Sequence, residues 1–199
     1  MDDIFSGSLK SYIDKVASSA STPGGGSVIA AVNSLAASLM LMSLRIAILK
    51  KENPPKEALD LEKELMDIKE ESLELAEADS REFKKVMKNW SKGGELLEES
   101  LKRAAEVSLN ISLKSLELIE LIDAQDLNAY KNIITDVAIA FYLGESSFRG
   151  GIANSVINAK LLSREENKTE IFKRQKNIEK NFKGLADKLK GRFDAIIKR

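Results

Sequence analysis

The chain contains neither cysteine nor histidine. Disulfides, thiol nucleophiles, Ser-His-Asp triads and the commonest transition-metal ligands are excluded together. Proton transfer must then use Asp, Glu, Lys or Tyr. Proline is nearly as scarce, occurring only at Pro23, Pro54 and Pro55, so long stretches lack the residue that breaks helices. Neither sign of charge is in excess, since 31 Lys plus Arg balance 31 Asp plus Glu. No bulk attraction to nucleic acid or to an anionic membrane follows, and neither is expected as a partner. Met1-Asp2-Asp3-Ile4-Phe5 is acidic where a secretory signal is basic, and no apolar core follows it, which makes a cytoplasmic location the expectation.

What is present is apolar periodicity. With 43% hydrophobic residues over 199 positions, the chain can bury the core of one domain spanning 1–199. The pattern predicts an all-α fold, a bundle of about six long, mostly antiparallel helices. A first amphipathic segment carries Phe5, Leu9, Tyr12, Ile13 and Val16 on one face. The second helix runs from Ser27 to about Lys51, and Asn53-Pro54-Pro55 ends it. A third spans Lys56 to about Lys92, stopped by Gly93-Gly94. The fourth covers roughly 95–122, the fifth 128–163, and the sixth runs from Arg164 towards the C-terminus. Small residues in the second and fifth helices (Ala30, Ala31, Ser34, Ala37; Ala138, Ala140, Gly144, Gly150, Gly151) let axes approach closely, so these two are expected as the central pair. Residues 28–49 are long and apolar enough to span a bilayer, but Asn33, Ser34, Ser38, Ser43 and Arg45 interrupt them and favour a helix buried by other helices.

One junction draws attention. Gly24-Gly25-Gly26-Ser27, set up by Pro23, opens the apolar second helix. Glycines allow positive φ and close approach of a ligand, and a helix start offers unpaired N–H groups to a carboxylate or phosphate. An ordinary glycine cap is the competing explanation. No Lys-Ser or Lys-Thr follows at Walker spacing.

Further along, Asp136 lies in the apolar run Ile133–Ala140, where a carboxylate needs a partner, a helix N-terminus or a ligand. Asn154 and Asn158 are one turn apart and share a face. Asp136 and Asn154 are five turns apart, about 27 Å along one helix, so they cannot both touch one small reacting centre of a single chain. Asp79 reads by spacing as a surface residue. Lys50 and Lys51 sit where positive charge offsets a helix C-terminus.

Taken together, these segments resemble the cyclodeaminase/cyclohydrolase family of folate enzymes, the domain also found in formiminotransferase-cyclodeaminase. The resemblance is carried by Pro23-Gly24-Gly25-Gly26-Ser27-Val28, by Leu44–Lys51, by Asp79-Ser80-Arg81-Glu82-Phe83, and by Thr135-Asp136-Val137-Ala138 with Arg149–Asn154 and Asn158. It implies a homodimer with a tetrahydrofolate derivative as substrate near the subunit contact, and no metal or tightly bound cofactor. The implied reaction is at the N5/N10 bridge, as formimidoyltetrahydrofolate cyclodeaminase or methenyltetrahydrofolate cyclohydrolase; the lack of a fused formiminotransferase domain inclines the expectation to the second. Asp136 would be the main carboxylate, as proton acceptor or as acceptor for the pterin N–H groups. Lys50 or Lys51 would stabilise or protonate the leaving group. Gly24–Ser27 would cradle a substrate carboxylate, with Asp79, Asn154 and Asn158 as further binding residues. The alternative is a non-catalytic helical module that binds folate or a protein.

Overall fold

The computed structural model describes residues 4–5, 7–50 and 52–198. The helices are α1 (Leu9–Val16), α2 (Gly25–Leu44), α3 (Lys56–Asn89), α4 (Gly94–Asp123), α5 (Ile134–Lys160) and α6 (Glu165–Ile197). A π turn, Arg45–Leu49, extends α2, and a 3₁₀ segment, Leu127–Ile133, leads into α5. The all-α expectation holds, with two corrections at element ends. The second helix is not one regular α-helix to Lys51: beyond Leu44 it widens, and Lys50 N–H reaches back five residues to Arg45 O at 3.1 Å. The fifth begins as 3₁₀ turns, because Asp126 caps that segment by accepting from Asn128 N–H at 3.0 Å before the α-helical run starts.

Helices α2 to α5 form an antiparallel four-helix ring, each packed on the next in sequence, with α5 closing back onto α2. The pairings Asn33–Ser72 and Arg45–Glu62 join α2 to α3, and Asn89–Ser100 joins α3 to α4. Ser112 Oγ donates to Phe148 O between α4 and α5, and Ser147 Oγ donates to Ile29 O between α5 and α2. Helix α6 lies over α4 and α5, antiparallel to α5. Phe182 of α6 stacks on Phe148 of α5 with ring centroids 3.9 Å apart.

Small residues set these distances, as the sequence suggested. A Cβ on Gly150 would stand 2.8 Å from Ile29 Cγ2, and one on Gly151 would stand 2.7 Å from Ser108 O. Helix α5 therefore touches α2 and α4 with almost no side-chain layer between them. The polar residues that interrupt the apolar α2 are accommodated by protein. Ser38 and Ser43 donate to carbonyls one turn back, Asn33 Nδ2 donates to Ser72 Oγ, and Arg45 is exposed and paired with Glu62 at 2.7 Å. One helix, Gly25–Leu49, has the length and composition to cross a membrane, and 56% of its most apolar window is buried inside this bundle.

Helix α1 is short, with none of its residues fully buried, and of its apolar face Leu9, Ile13 and Val16 are exposed. Phe83 and Met87 of α3, and Trp90 just after it, are likewise exposed.

Candidate active site

The site grows from the start of α2. Gly24 is the N-cap in extended conformation, and α2 begins at Gly25 rather than at Ser27. None of Gly24, Gly25 and Gly26 takes a positive φ, which among the described residues belongs to Gly93 and Gly94 alone. The glycines serve close approach instead. A Cβ on Gly26 would fall within the Asp79 carboxylate, only 2.7 Å from its Oδ2. No side chain fits there while Asp79 stays in place.

Asp79 is therefore no surface residue. It sits half-buried on α3, with the Ser27 N–H directed at its carboxylate, at the positive end of α2. Burial pushes its pKa up from 3.8 to about 6, against the opposing pull of the Ser27 N–H. A carboxyl near 6 can both take up and release a proton close to neutrality.

Asn154 approaches the same turn from α5: its Nδ2 lies 4.0 Å from the position of a Gly25 Cβ. Asn158 follows one turn later, also half-buried. Neither amide is taken up by another described residue, which leaves both open to a ligand.

A fourth contributor escaped the sequence reading. Tyr12 of α1 places its hydroxyl 3.3 Å from Ser27 Oγ, and its ring lies against Phe5 with centroids 5.2 Å apart. Burial, and then the Asp79 charge, raise its pKa above 10.0, while the Ser27 hydroxyl pulls the other way. The available signal was the one hydroxyl on an apolar face shared with Phe5, Leu9, Ile13 and Val16.

Asp136 and Lys50 lie elsewhere. Asp136 is half-buried in the first turn of α5, where its charge complements the helix dipole. Lys50 is exposed and forms the C-cap of the π turn, which packs on the 3₁₀ segment preceding α5. Both thus mark the opposite end of the antiparallel α2/α5 pair from Gly25 and Asn154, about 27 Å away along α5. Lys51 lies outside the described residues. Among the described residues no cluster of acidic side chains is arranged to hold a metal ion.

The expected residues therefore fall into two groups. Gly24–Ser27, Asp79 and Asn154, with Tyr12, converge on one point; Asp136 and Lys50 stand at the far end of the same helices.

The all-helical bundle has a counterpart among solved structures. The crystal structure of formiminotetrahydrofolate cyclodeaminase from Thermotoga maritima superposes with a TM-score of 0.89 at 26% identity, over 96% of this chain and 98% of that one. No curated protein matches the chain by sequence. The family model described as formiminotransferase-cyclodeaminase matches residues 8–177, a span that takes in Tyr12, the glycine turn, Asp79, Asp136 and both asparagines. The chain belongs to the formiminotransferase-cyclodeaminase family.

Proposed function

We propose that this protein is a folate one-carbon enzyme acting at the N5/N10 bridge of tetrahydrofolate, with the cyclodeaminase reaction as its first activity. The observation that carries the reading is the Asp79 carboxylate, set against Gly26 with its pKa raised by burial to about 6, at the same helix start that Asn154 Nδ2 approaches beside Gly25. The solved relative is a cyclodeaminase, and the match covers nearly all of both chains.

In deamination, N10 attacks the formimino carbon bonded to N5, a C–N10 bond forms, and ammonia leaves as the C–N bond to the imino nitrogen breaks. Starting from the protonated formimino group, N10 must lose a proton and the departing nitrogen must gain one. Asp79 is suited to carry that proton, and a site of this kind needs a positioned pterin and an acid-base group rather than a redox centre. Asn154 and Asn158 offer amides of both polarities for the heterocycle. Hydrolysis of the methenyl bridge passes through a similar tetrahedral carbon, so cyclohydrolase activity is the second reading of the same site.

Gly24–Ser27 remains the proposed seat of a substrate carboxylate, through those N–H groups that Asp79 leaves free. Asp136 and Lys50 join the chemistry in this proposal through a homodimer. Neighbouring helices α2 and α5 leave Leu35, Met42 and Ile46, and Ile139, Tyr142 and Ile157, exposed. A two-fold contact through such a face sets the Asp136 end of one copy beside the glycine end of the other.

The test is the near-ultraviolet absorbance of methenyltetrahydrofolate, followed in separate incubations. Growth from 5-formiminotetrahydrofolate above the uncatalysed rate identifies the deaminase, and accelerated decay of the methenyl compound identifies the hydrolase. Folded protein that changes neither rate would sink the catalytic reading and leave a binding module.

A further inference from the structure

We propose that Tyr12 is a substrate-facing hydrogen-bond donor, the partner of the Asp79 carboxylate in the same site. This role rests on the folate reading above for the identity of the reacting group.

Helix α1 is not held by its apolar face: Leu9 is 69% and Ile13 55% exposed. Tyr12 is half-buried instead, with its hydroxyl against Ser27 in the first turn of α2. Ser27 is fully buried there and has two neighbours of opposite capacity. Its N–H is directed at the Asp79 carboxylate of α3, and its Oγ meets the Tyr12 hydroxyl of α1. An acceptor and a donor from two separate helices are thus referenced to one residue.

The Tyr12–Ser27 contact is long. At 3.3 Å it exceeds the usual range for a hydrogen bond between oxygens, roughly 2.5–3.0 Å, so the hydroxyl proton is only weakly committed. Burial first, and then the neighbouring Asp79 charge, disfavour tyrosinate, so the hydroxyl stays protonated at neutral pH. The chain has no histidine to supply a neutral donor. Its other tyrosines are engaged or distant, Tyr130 being buried with its hydroxyl on Gln125 and Tyr142 lying exposed in the middle of α5.

This pairing meets the requirements of the proposed reaction. With the formimino nitrogen protonated, attack by N10 gives a tetrahedral carbon bearing a neutral amine and a protonated N10. Asp79 takes the proton from N10 and passes it to the amine, which leaves as ammonia. Tyr12 keeps its own proton throughout: it donates a hydrogen bond to the amine lone pair that appears as the adduct forms, and gives that lone pair up when Asp79 delivers its proton there. Such a bond stabilises the adduct rather than the bound substrate, so its loss falls on kcat.

The experiment is steady-state turnover of 5-formiminotetrahydrofolate by wild type, Tyr12→Phe and Leu9→Ala, with circular dichroism and thermal melting of each. Tyr12→Phe retains the ring against Phe5 and removes only the hydroxyl. The expected result is a fall in kcat of roughly 10–100-fold with KM within about threefold and an unchanged melt. Leu9→Ala, on the solvent side of the same helix, should keep wild-type kcat. Wild-type kcat in Tyr12→Phe overturns the role, and so does a change confined to KM or melting temperature, which would mean packing alone. An inactive wild type would instead bring down the cyclodeaminase reading, and the Tyr12 role with it.

Discussion

The Asp79 carboxylate occupies the space that any side chain on Gly26 would need: a Cβ there would lie 2.7 Å from Asp79 Oδ2 and closer still to the rest of the carboxylate. Gly26→Ala should therefore act on Asp79. The surrounding bundle is closely packed, with Gly26 and Ser27 both buried, so the carboxylate must swing away from the helix start. We expect a destabilisation of about 1–3 kcal/mol from overpacking and a loss of turnover approaching that of Asp79→Asn. Gly25→Ala is the useful comparison, because its Cβ would meet only Asn154 Nδ2 at 4.0 Å. Parallel melts and rates for the two alanine variants decide the matter; equal, small effects would mean that Asp79 has room to spare.

Asp79 also predicts a pH signature. Its pKa is about 6 in the folded chain against 3.8 for the free side chain, and burial is the main cause. The folded state binds the proton more tightly than the unfolded state does. The corresponding stability is fully present below about pH 4 and is lost as pH rises through about 6. Discounted for partial exposure, the loss is on the order of 2 kcal/mol. Asp79→Asn should flatten this part of the stability profile, measured by urea unfolding between pH 4 and 7. In wild type, kcat/KM should climb with ionisation of the same group, and that limb should vanish in the variant. A wild-type stability profile with no downward slope in this window would contradict the environment assigned to Asp79.

The sequence made the helical bundle legible because Pro and Gly punctuate it so sparsely. Breaks at Asn53-Pro54-Pro55 and Gly93-Gly94 fell within a few residues of the true ends. The site was less legible, for reasons of geometry. Asp79 looked like a surface residue because its environment comes from Gly26, more than fifty positions earlier, and the absence of a side chain leaves no periodic mark. Asp136 looked buried because its neighbours in sequence are apolar, yet it lies in the first turn of α5, where the helix dipole favours its charge and part of it meets solvent. The apolar face of α1 leaves Leu9, Ile13 and Val16 exposed while Tyr12 is half-buried, since amphipathicity records that a face is apolar without recording what covers it.

Glu98 is a structural counterpart to Asp79. This buried carboxylate of α4 accepts from Ser163 N–H at 2.7 Å, Arg164 N–H at 3.2 Å and Asn167 Nδ2 at 2.9 Å, and so caps the start of α6 from outside that helix. Glu98→Ala removes the acceptor that caps the start of α6, where the Ser163 and Arg164 N–H groups can turn to water, at a cost of about 0.5–2 kcal/mol, or a melting temperature lower by roughly 1–8 °C for a chain of this size. Glu98→Gln keeps one acceptor oxygen and should recover part of the loss. Turnover at low temperature should be unaffected by either change. Thermal melts of the two variants check the first claim, and a kcat deficit in the folded Gln variant would show that α6 matters to the site.

The separation of Asp136 from Asp79 makes a sharper demand. If each catalytic centre draws Asp79 from one copy and Asp136 from the other, Asp79→Asn and Asp136→Asn should each inactivate the homodimer by removing one group from both centres. Mixing the two variants under conditions that allow subunit exchange changes the count. A mixed dimer has one centre lacking both carboxylates and one with both intact, because the Asp136→Asn copy supplies Asp79 and the Asp79→Asn copy supplies Asp136. With random exchange half the dimers are mixed and each has one working centre, so activity should return to about a quarter of wild type. Side chains that met within one chain could not complement in this way, and the mixture would stay as inactive as its parts. The helix length already argues against that arrangement, since about 27 Å of α5 divides Asp136 from Asn154 and the glycine turn. Recovered activity would place the Asp136 end of one subunit against the Gly26 end of the other, and no recovery despite demonstrated exchange would remove Asp136 from the site.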